Sequence, residues 1–281
     1  MLSVKTPAKV NLFLDVVGKR KDGYHTIRTL FLKVGLFDTL YFQKQENGIK
    51  ISCSGRPVPV DKSNLAYRAA ELLQDACGTK QGVHIKIKKN IPISAGMGGG
   101  SSDAAAALRG LNRLWKLNLS DKVLMRLGAR LGADVPFFLF PESAAWGTGR
   151  GDRLKPVEIK KKFWLVVVKP PIAVSTREAY QALPGSLTKR KNDVKLLIYA
   201  LNNFTLEKIG EKLFNRLESV VFERYNSLAR LKKRLSALGV KAVLMSGSGS
   251  VIFGLTANRE EAKIIKRNLH NRHEVMIVRS L

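Results

Sequence analysis

One glycine-rich stretch decides the fold prediction: Pro92-Ile93-Ser94-Ala95-Gly96-Met97-Gly98-Gly99-Gly100-Ser101-Ser102-Asp103. The segment VHIKIKK (83–89) before it alternates strictly and predicts a strand, and DAAAALRGLNRLW (103–115) after it predicts a helix. Glycines let the backbone approach a ligand closely, and a helix start adds unpaired N–H groups and partial positive charge. The stretch therefore predicts a phosphate-binding loop, with Ser101, Ser102 or Asp103 as the cap of the helix.

Two common nucleotide motifs do not fit this loop. It is not a Walker A loop, because no Lys-Ser/Thr pair follows the last glycine. It is not the dinucleotide fingerprint either, because Gly96-x-Gly98 lacks a glycine three residues further on. The other structural interpretation is a flexible turn that only caps the helix. Four glycines followed by Ser101 and Ser102, between a strand and a helix, favour phosphate binding.

The rest of the chain mixes strands and helices without regular βαβ alternation, which favours an α+β fold. A polar patch, QENG (45–48), predicts a hairpin turn before IKISCSG, and PGSLTKRKNDVK (184–195) predicts a polar loop. A boundary near GTGRGDRLKP (147–156) divides the chain into domains 1–152 and 153–281. Strands are predicted at 2–17, 28–45, 83–89, 164–170, around a Gly/Ser turn within 240–255, and at 274–280. Helices are predicted at 65–76, 103–115, 120–131, 194–203, 205–222, 224–238 and 258–270.

The amino-acid composition indicates the class of protein but says little about its partners. The chain has 281 residues, 45% of them hydrophobic and 25% charged, which is typical of a globular protein. No stretch reaches about 18 apolar residues and the N-terminus lacks a signal peptide's apolar core, so a cytoplasmic location is expected. Cys53 and Cys77 belong to no metal-binding spacing, and the sequence indicates no metal ligands and no oligomeric state.

The formal net charge of +27 has three interpretations. A basic surface could bind nucleic acid, handle phosphorylated small molecules, or be a set of solvated lysine-rich faces. Because the basic residues are spread along the chain without an RNA-recognition or zinc-finger signature, the charge is weak evidence about partners.

Three segments resemble the motifs of the GHMP kinase superfamily, in the expected order. They are Pro7–Leu12, the loop from Pro92 to Ser102, and Met245–Ser250. The resemblance implies an ATP-dependent kinase that phosphorylates a hydroxyl of a small metabolite, with Mg²⁺ accompanying ATP. It also implies a two-domain α+β fold, with a ribosomal-protein-like N-terminal domain and a ferredoxin-like C-terminal domain. ATP would contact the loop residues Pro92, Ile93, Ser94, Ala95, Gly96, Met97, Gly98, Gly99, Gly100, Ser101 and Ser102.

Two further segments, GKRKDGYH (18–25) and LGADVPFF (131–138), resemble superfamily members whose substrate is cytidine diphospho-methylerythritol. That resemblance implies transfer of the γ-phosphate of ATP to the hydroxyl at position 2 of the methylerythritol group. Asp134 is then the expected base, and Lys9 its electrostatic partner. From the residues alone, Asp134 could be a solvated residue at a helix end and Lys9 could lie on the exposed face of an edge strand.

The remaining candidates concern the substrate. Asn11 lies two residues after Lys9 and shares its strand face, so it is a candidate ligand. Tyr24 and His25 can stack on and hydrogen-bond to a cytosine ring, while Tyr180 could cover the opposite face and Thr176 could contact the substrate. A superfamily kinase acting on mevalonate, phosphomevalonate, homoserine or a sugar is the first alternative. A basic nucleic-acid-binding protein is the second, and no nucleic-acid or membrane partner is expected.

Overall fold

The computed structural model describes residues 1–184, 194–269 and 272–281. Apart from its two ends, the loop predicted at 184–195 lies outside these residues. Within the described ranges no helix combines the length and apolar character needed to cross a membrane. The strands are β1 (Leu2–Lys19), β2 (His25–Gln45), β3 (Ile49–Gly55), β4 (Gly82–Lys89), β5 (Ala144–Thr148), β6 (Arg153–Pro156), β7 (Trp164–Lys169), β8 (Phe214–Asn215), β9 (Ala242–Met245), β10 (Ile252–Thr256) and β11 (Glu274–Arg279). The helices are α1 (Leu65–Cys77), α2 (Gly99–Leu114), α3 (Asp121–Leu131), α4 (Val135–Leu139), α5 (Thr176–Gln181), α6 (Val194–Asn203), α7 (Leu206–Gly210), α8 (Leu217–Arg224), α9 (Asn226–Ala237) and α10 (Arg259–Leu269).

The chain forms two compact units that interleave along the sequence. Unit 1 consists of Met1–Ala8, Leu36–Ile93 and Gly98–Pro141, and unit 2 of Lys9–Gly35, Ser94–Met97 and Glu142–Leu281. Each unit contains both helices and strands, as an α+β fold requires. The boundary predicted after residue 152 stays a prediction, since neither unit is one continuous segment.

Unit 1 is built on β4, which pairs antiparallel with the second half of β2 and parallel with β3. The hairpin predicted at 45–48 is therefore wrong, because β4 lies between the two strands that this turn connects. Parallel neighbours need a long crossover connection, and α1 provides it between β3 and β4. Asn64 caps α1 by accepting a hydrogen bond from the Ala66 N–H at 2.9 Å, and Gly78 ends it in the left-handed conformation.

Helix α2 starts earlier than the sequence predicted. Its N-terminal cap is Gly98, at φ +70°, so the prediction that Ser101, Ser102 or Asp103 caps the helix is wrong. Glycine takes this left-handed conformation without steric cost, and the helix can therefore begin at Gly99 inside the loop. The helix prediction at 120–131 is confirmed by α3, whereas α4 was not predicted.

Unit 2 contains a second, four-stranded sheet in the order β11-β7-β10-β9, all antiparallel. The two strands predicted around the Gly/Ser turn are confirmed as β9 and β10. The segment at 147–156 lies within the β5–β6 hairpin, in which Ala145–Thr148 pair with Arg153–Pro156. The single helix predicted at 205–222 is wrong, because it is divided into α7, β8 and α8. Phe214 and Asn215 pair in parallel with Phe13 and Leu14, and a Cβ at Gly210 would lie 2.2 Å from the Lys241 carbonyl oxygen.

Candidate active site

Residues from all three sequence motifs meet within unit 2. The Lys9 backbone N–H donates to the Met97 carbonyl oxygen at 3.1 Å. The Asn11 N–H donates to Ser246 Oγ at 3.3 Å, and Ser246 Oγ donates in turn to the Gly96 carbonyl oxygen at 2.9 Å. The fold therefore makes neighbours of segments separated by 150 and 235 residues.

Backbone approaches backbone at this meeting point, which explains two of its glycines. A Cβ at Gly96 would lie 1.9 Å from the Ser246 carbonyl oxygen, and one at Gly247 would lie 3.2 Å from Gly96 Cα. Both residues have positive φ, +73° and +56°. Any larger residue would have to move one segment away from the other.

A chain of buried hydrogen bonds orients Lys9. Its Nζ donates to Asn11 Oδ1 at 2.6 Å, and Asn11 Nδ2 donates to Thr29 Oγ1 at 2.7 Å. Thr29 Oγ1 donates to the Phe13 carbonyl oxygen at 2.8 Å, so its hydroxyl must accept from the Asn11 amide. These hydrogen bonds fix which end of the Asn11 amide faces Lys9. Asn11 is 2% exposed and serves first as an orienting partner of Lys9, while its contact with substrate stays a prediction.

The Met245–Ser250 turn is supported by a side chain that the sequence analysis missed. Asn215 Nδ2 donates to the carbonyl oxygens of Met245 and Gly247, each at 2.7 Å. Glu218 Oε1 accepts from the Met245 N–H at 2.8 Å. The only available signal was a polar residue inside a segment predicted to be helical.

The start of α2 lies in unit 1. No side chain caps this end, and no acidic residue lies in its first turn. An α-helix leaves its first N–H groups without intrahelical partners, here those of Gly99, Gly100 and Ser101, and it concentrates partial positive charge there. The Ser102 hydroxyl is fully buried and donates to the Pro7 carbonyl oxygen at 2.6 Å. The Ser102 side chain therefore holds α2 against β1, and its contact with a nucleotide stays a prediction.

Asp134 lies between α3 and α4, at the half-buried position that precedes α4. Its carbonyl oxygen accepts from the Phe137 N–H at 3.2 Å, which closes the first turn of α4. A Cβ at Gly132 would lie 3.7 Å from Ser101 Oγ, so this turn is a neighbour of the end of the glycine-rich loop. Lys9 belongs to the other unit, and the Lys9–Asp134 pair stays a prediction.

The aromatic candidates lie in unit 2. The rings of His25 and Tyr180 are 5.2 Å apart between centroids, at 34° to each other, and Tyr24 is 54% exposed. Burial lowers the pKa of His25, and the positive charge of Lys19 adds to this effect. The lowered pKa favours the neutral form of His25, in which the ring offers one donor and one acceptor.

Arg150 is a second residue that the sequence analysis missed. The carbon atom of its guanidinium lies 5.2 Å from the centroid of the Tyr24 ring, and Asp152 Oδ2 accepts from its Nε and Nη2 at 3.1 and 3.0 Å. A guanidinium held in this way can orient an exposed aromatic ring. Thr176, the remaining candidate, shares a 2.8 Å hydrogen bond between its Oγ1 and Ser248 Oγ, which links it to the Met245–Ser250 turn.

Family comparisons cover both parts of the chain. The sequence model of the GHMP kinases N terminal domain matches residues 64–142, and that of the GHMP kinases C terminal matches residues 197–275. A protein of Syntrophus aciditrophicus (strain SB), named 4-diphosphocytidyl-2-C-methyl-D-erythritol kinase, is 44% identical over 264 residues. These residues cover 94% of this chain and 92% of that relative.

Solved structures share the fold. A crystal structure of 4-(cytidine 5'-diphospho)-2C-methyl-D-erythritol kinase superposes with a TM-score of 0.84 at 35% identity, and the match covers 99% of each chain. A homoserine kinase from Cytophaga hutchinsonii superposes with a TM-score of 0.77 over 99% of this chain and 94% of its own. At 19% identity, the second match shows a common fold alone.

Proposed function

This chain belongs to the GHMP kinase family, and we propose that it phosphorylates 4-diphosphocytidyl-2-C-methyl-D-erythritol at its 2-hydroxyl, with ATP as the phosphate donor, in the non-mevalonate isoprenoid pathway. The observation that carries the proposal is the meeting of the three motifs at Asn11, Ser246 and Gly96. The predicted membership of this family and the predicted two-domain α+β fold are confirmed.

ATP would bind along the loop of residues 92–102. Phosphoryl transfer depends on holding the phosphates and neutralising their charge. The N–H groups of Gly99, Gly100 and Ser101 at the start of α2 suit the triphosphate. Glycine at position 98 lets the loop enter α2 at positive φ, and glycine at position 96 lets the Met245–Ser250 turn lie against the loop. The Ser101 hydroxyl supplies one further donor.

Asp134 would accept the proton of the 2-hydroxyl as the oxygen attacks the γ-phosphorus and ADP leaves. Lys9 would supply positive charge to this step, and Asn11 and Thr29 hold its ammonium group in a single orientation. The turn that carries Asp134 is a neighbour of the end of the loop, since a Cβ at Gly132 would lie 3.7 Å from Ser101 Oγ, and this supports the role of Asp134.

The cytidine group would be recognised by aromatic side chains. Tyr24 offers an exposed face for stacking, and the neutral form of His25, which burial favours, can hydrogen-bond to a cytosine edge. Tyr180 lies against His25, and Thr176 adjoins the Met245–Ser250 turn through Ser248. Mevalonate and homoserine carry no base, so this group of side chains favours the cytidine substrate over them.

Magnesium would enter with ATP. Among the residues that the structure describes, no three His, Cys, Asp or Glu side chains are grouped to hold a metal ion. Mg²⁺ commonly binds through substrate phosphates, waters and one or two protein oxygens, and Asp134 offers such an oxygen. When bound, the ion would neutralise charge on the phosphates.

The test is a turnover assay with the pure protein, ATP and Mg²⁺. We expect ADP and a 2-phosphorylated product with the cytidine substrate, and little ADP with mevalonate or homoserine. Asp134→Asn serves as the control for contaminating kinases and should reduce product formation by at least about a hundredfold. Salt-sensitive binding of a polynucleotide without ATP turnover would instead support the nucleic-acid alternative.

A further inference from the structure

Unit 1 contains a buried group of charges that the reaction above does not use. Lys89 ends β4, Asp38 belongs to β2, and Asp103 belongs to the second turn of α2; they are 2%, 0% and 3% exposed. Lys89 Nζ donates to Asp38 Oδ2 at 2.6 Å and to Asp103 Oδ2 at 2.5 Å. We call these three residues the Lys89 cluster.

The Lys89 cluster contacts both ends of the glycine-rich loop. At the entry, Asp38 Oδ1 accepts from the backbone N–H groups of Asn90 and Ile91, at 2.6 and 2.9 Å. At the exit, a Cβ at Gly99 would lie 3.0 Å from Lys89 Nζ, and Asp103 follows one turn later on the same helix. One ammonium group therefore links the strand that leads into the loop with the helix that leaves it.

Stability alone does not account for this arrangement. Burying charged groups is costly, and replacing a buried ion pair by apolar residues of similar volume is often neutral or stabilising. Asp103 Oδ1 is buried and has no hydrogen-bond partner among the described residues, which adds to the cost. A cluster that costs stability and fixes both ends of one loop is suited to positioning that loop.

We propose that Lys89 is a positioning residue for ATP. Held between Asp38 and Asp103, it holds the N-terminal part of α2 against the end of β4. The amides of Gly99, Gly100 and Ser101 are thereby kept in place for the triphosphate before it binds. This inference rests on the proposed function, because it takes ATP as the ligand of the loop.

The cluster also has a charge that depends on pH. With all three groups ionised it carries −1, and with Asp103 protonated it is neutral. Burial raises the pKa of Asp103 to about 7; Lys89 opposes this rise and Asp38 adds to it. Cys53 of β3 also interacts with all three charges, and burial raises its pKa as well. The Arg56 guanidinium donates to the carbonyl oxygen of Asn90, the residue after Lys89, at 2.8 Å.

An anionic triphosphate at the start of α2 disfavours the −1 state of the cluster. The KM for ATP should therefore rise between about pH 6 and pH 8, as Asp103 loses its proton. The terminal phosphate of ATP also titrates in this range. The pH profile of the wild-type KM for ATP must therefore be compared with the profile of Asp103→Asn. This variant keeps an acceptor for Lys89 and removes the titration, and we expect its KM at pH 8 to be below that of the wild type.

The decisive variant is the double substitution Lys89→Met/Asp103→Leu, which replaces the ion pair by apolar groups and leaves Asp38 on its two backbone amides. Lys88→Met is the matched control, because it removes the same charge from the exposed neighbour on β4. We expect the double variant to fold and its KM for ATP to rise about tenfold or more. The KM for the cytidine substrate should stay within about twofold of the wild-type value. The control should keep both KM values.

The outcomes separate the two proposals. A folded double variant with the wild-type KM for ATP would overturn the positioning role. If the double variant does not fold, Asp103→Asn decides, and pH profiles that superimpose on those of the wild type count against the inference. A wild-type protein that forms no ADP would overturn the proposed function instead. Titration of a fluorescent ATP analogue would then test the Lys89 cluster by binding alone.

Discussion

Gly96→Ala is the substitution whose effect the structure defines most sharply. The residue has φ +73°, and its carbonyl oxygen accepts a hydrogen bond from Ser246 Oγ. A methyl group at this position would lie 1.9 Å from the Ser246 carbonyl oxygen. Because that neighbour is backbone, no side-chain rotation can relieve the overlap, and the loop and the Met245–Ser250 turn must separate.

The loss of folding stability in Gly96→Ala has two contributions. The left-handed conformation costs an alanine about 1–2 kcal/mol, and loss of the Ser246 hydrogen bond adds about 1 kcal/mol. A loss of about 2–3 kcal/mol should lower the unfolding temperature of a chain of this size by about 5–10 °C. A shift of the loop by about 1 Å should reduce kcat/KM for ATP by about a hundredfold.

Thermal unfolding and steady-state kinetics on the purified variant measure both effects. Gly100→Ala is the matched control for stability, because it makes the same chemical change four residues later. Its Cβ would meet only Leu65 Cδ1, at an ordinary 3.5 Å, and alanine in a helix is favoured over glycine by up to about 1 kcal/mol. A Gly96→Ala protein with the unfolding temperature and the turnover of the wild type would refute the close approach of the Gly96 and Ser246 backbones.

Three further predictions concern side chains. Lys9→Ala should lower kcat by at least about a hundredfold while the unfolding transition is retained, and wild-type turnover would contradict its electrostatic role. Tyr24→Ala should raise the KM for the cytidine substrate more than it lowers kcat, whereas an unchanged KM would remove Tyr24 from the substrate site. The pKa of Asp103 is raised in the native state above its unfolded value, so the native protein binds more protons between those two values. Its stability should therefore fall by up to about 4 kcal/mol as the pH rises from about 4 to about 7. Urea titrations at several pH values should show that Asp103→Asn lacks this loss. If the free energy of unfolding depends on pH equally in the two proteins, a titrating Asp103 is excluded.

Local patterns in the sequence predicted the parts of the fold that depend on local chemistry. The strict alternation of residues 83–89 identified β4, and the alanine-rich segment identified α2. The hairpin predicted at QENG was wrong because a short polar turn can also connect two strands that are not neighbours in the sheet. Only the position of β4 between β2 and β3 decides between the two arrangements. The helix at 205–222 failed because pairing of Phe214 and Asn215 with β1, about 200 residues away, overrides the local helical preference.

The same contrast applies to the candidate site. Glycine content and the following helix were enough to predict the loop, yet the groups that hold it lie far away in the sequence. Asp38 fixes the entry of the loop from 53 residues before Ile91, and Asn215 supports the Met245–Ser250 turn from 30 residues before Met245. Each was a single polar residue in an element assigned on other grounds, so no spacing rule could identify it.

Lys89 gave one usable signal, since it takes the inward position of β4 that Ile85 and Ile87 occupy earlier in the strand. A charged residue in the buried register of a strand requires a partner, and the search for that partner leads from β4 to Asp38 and Asp103.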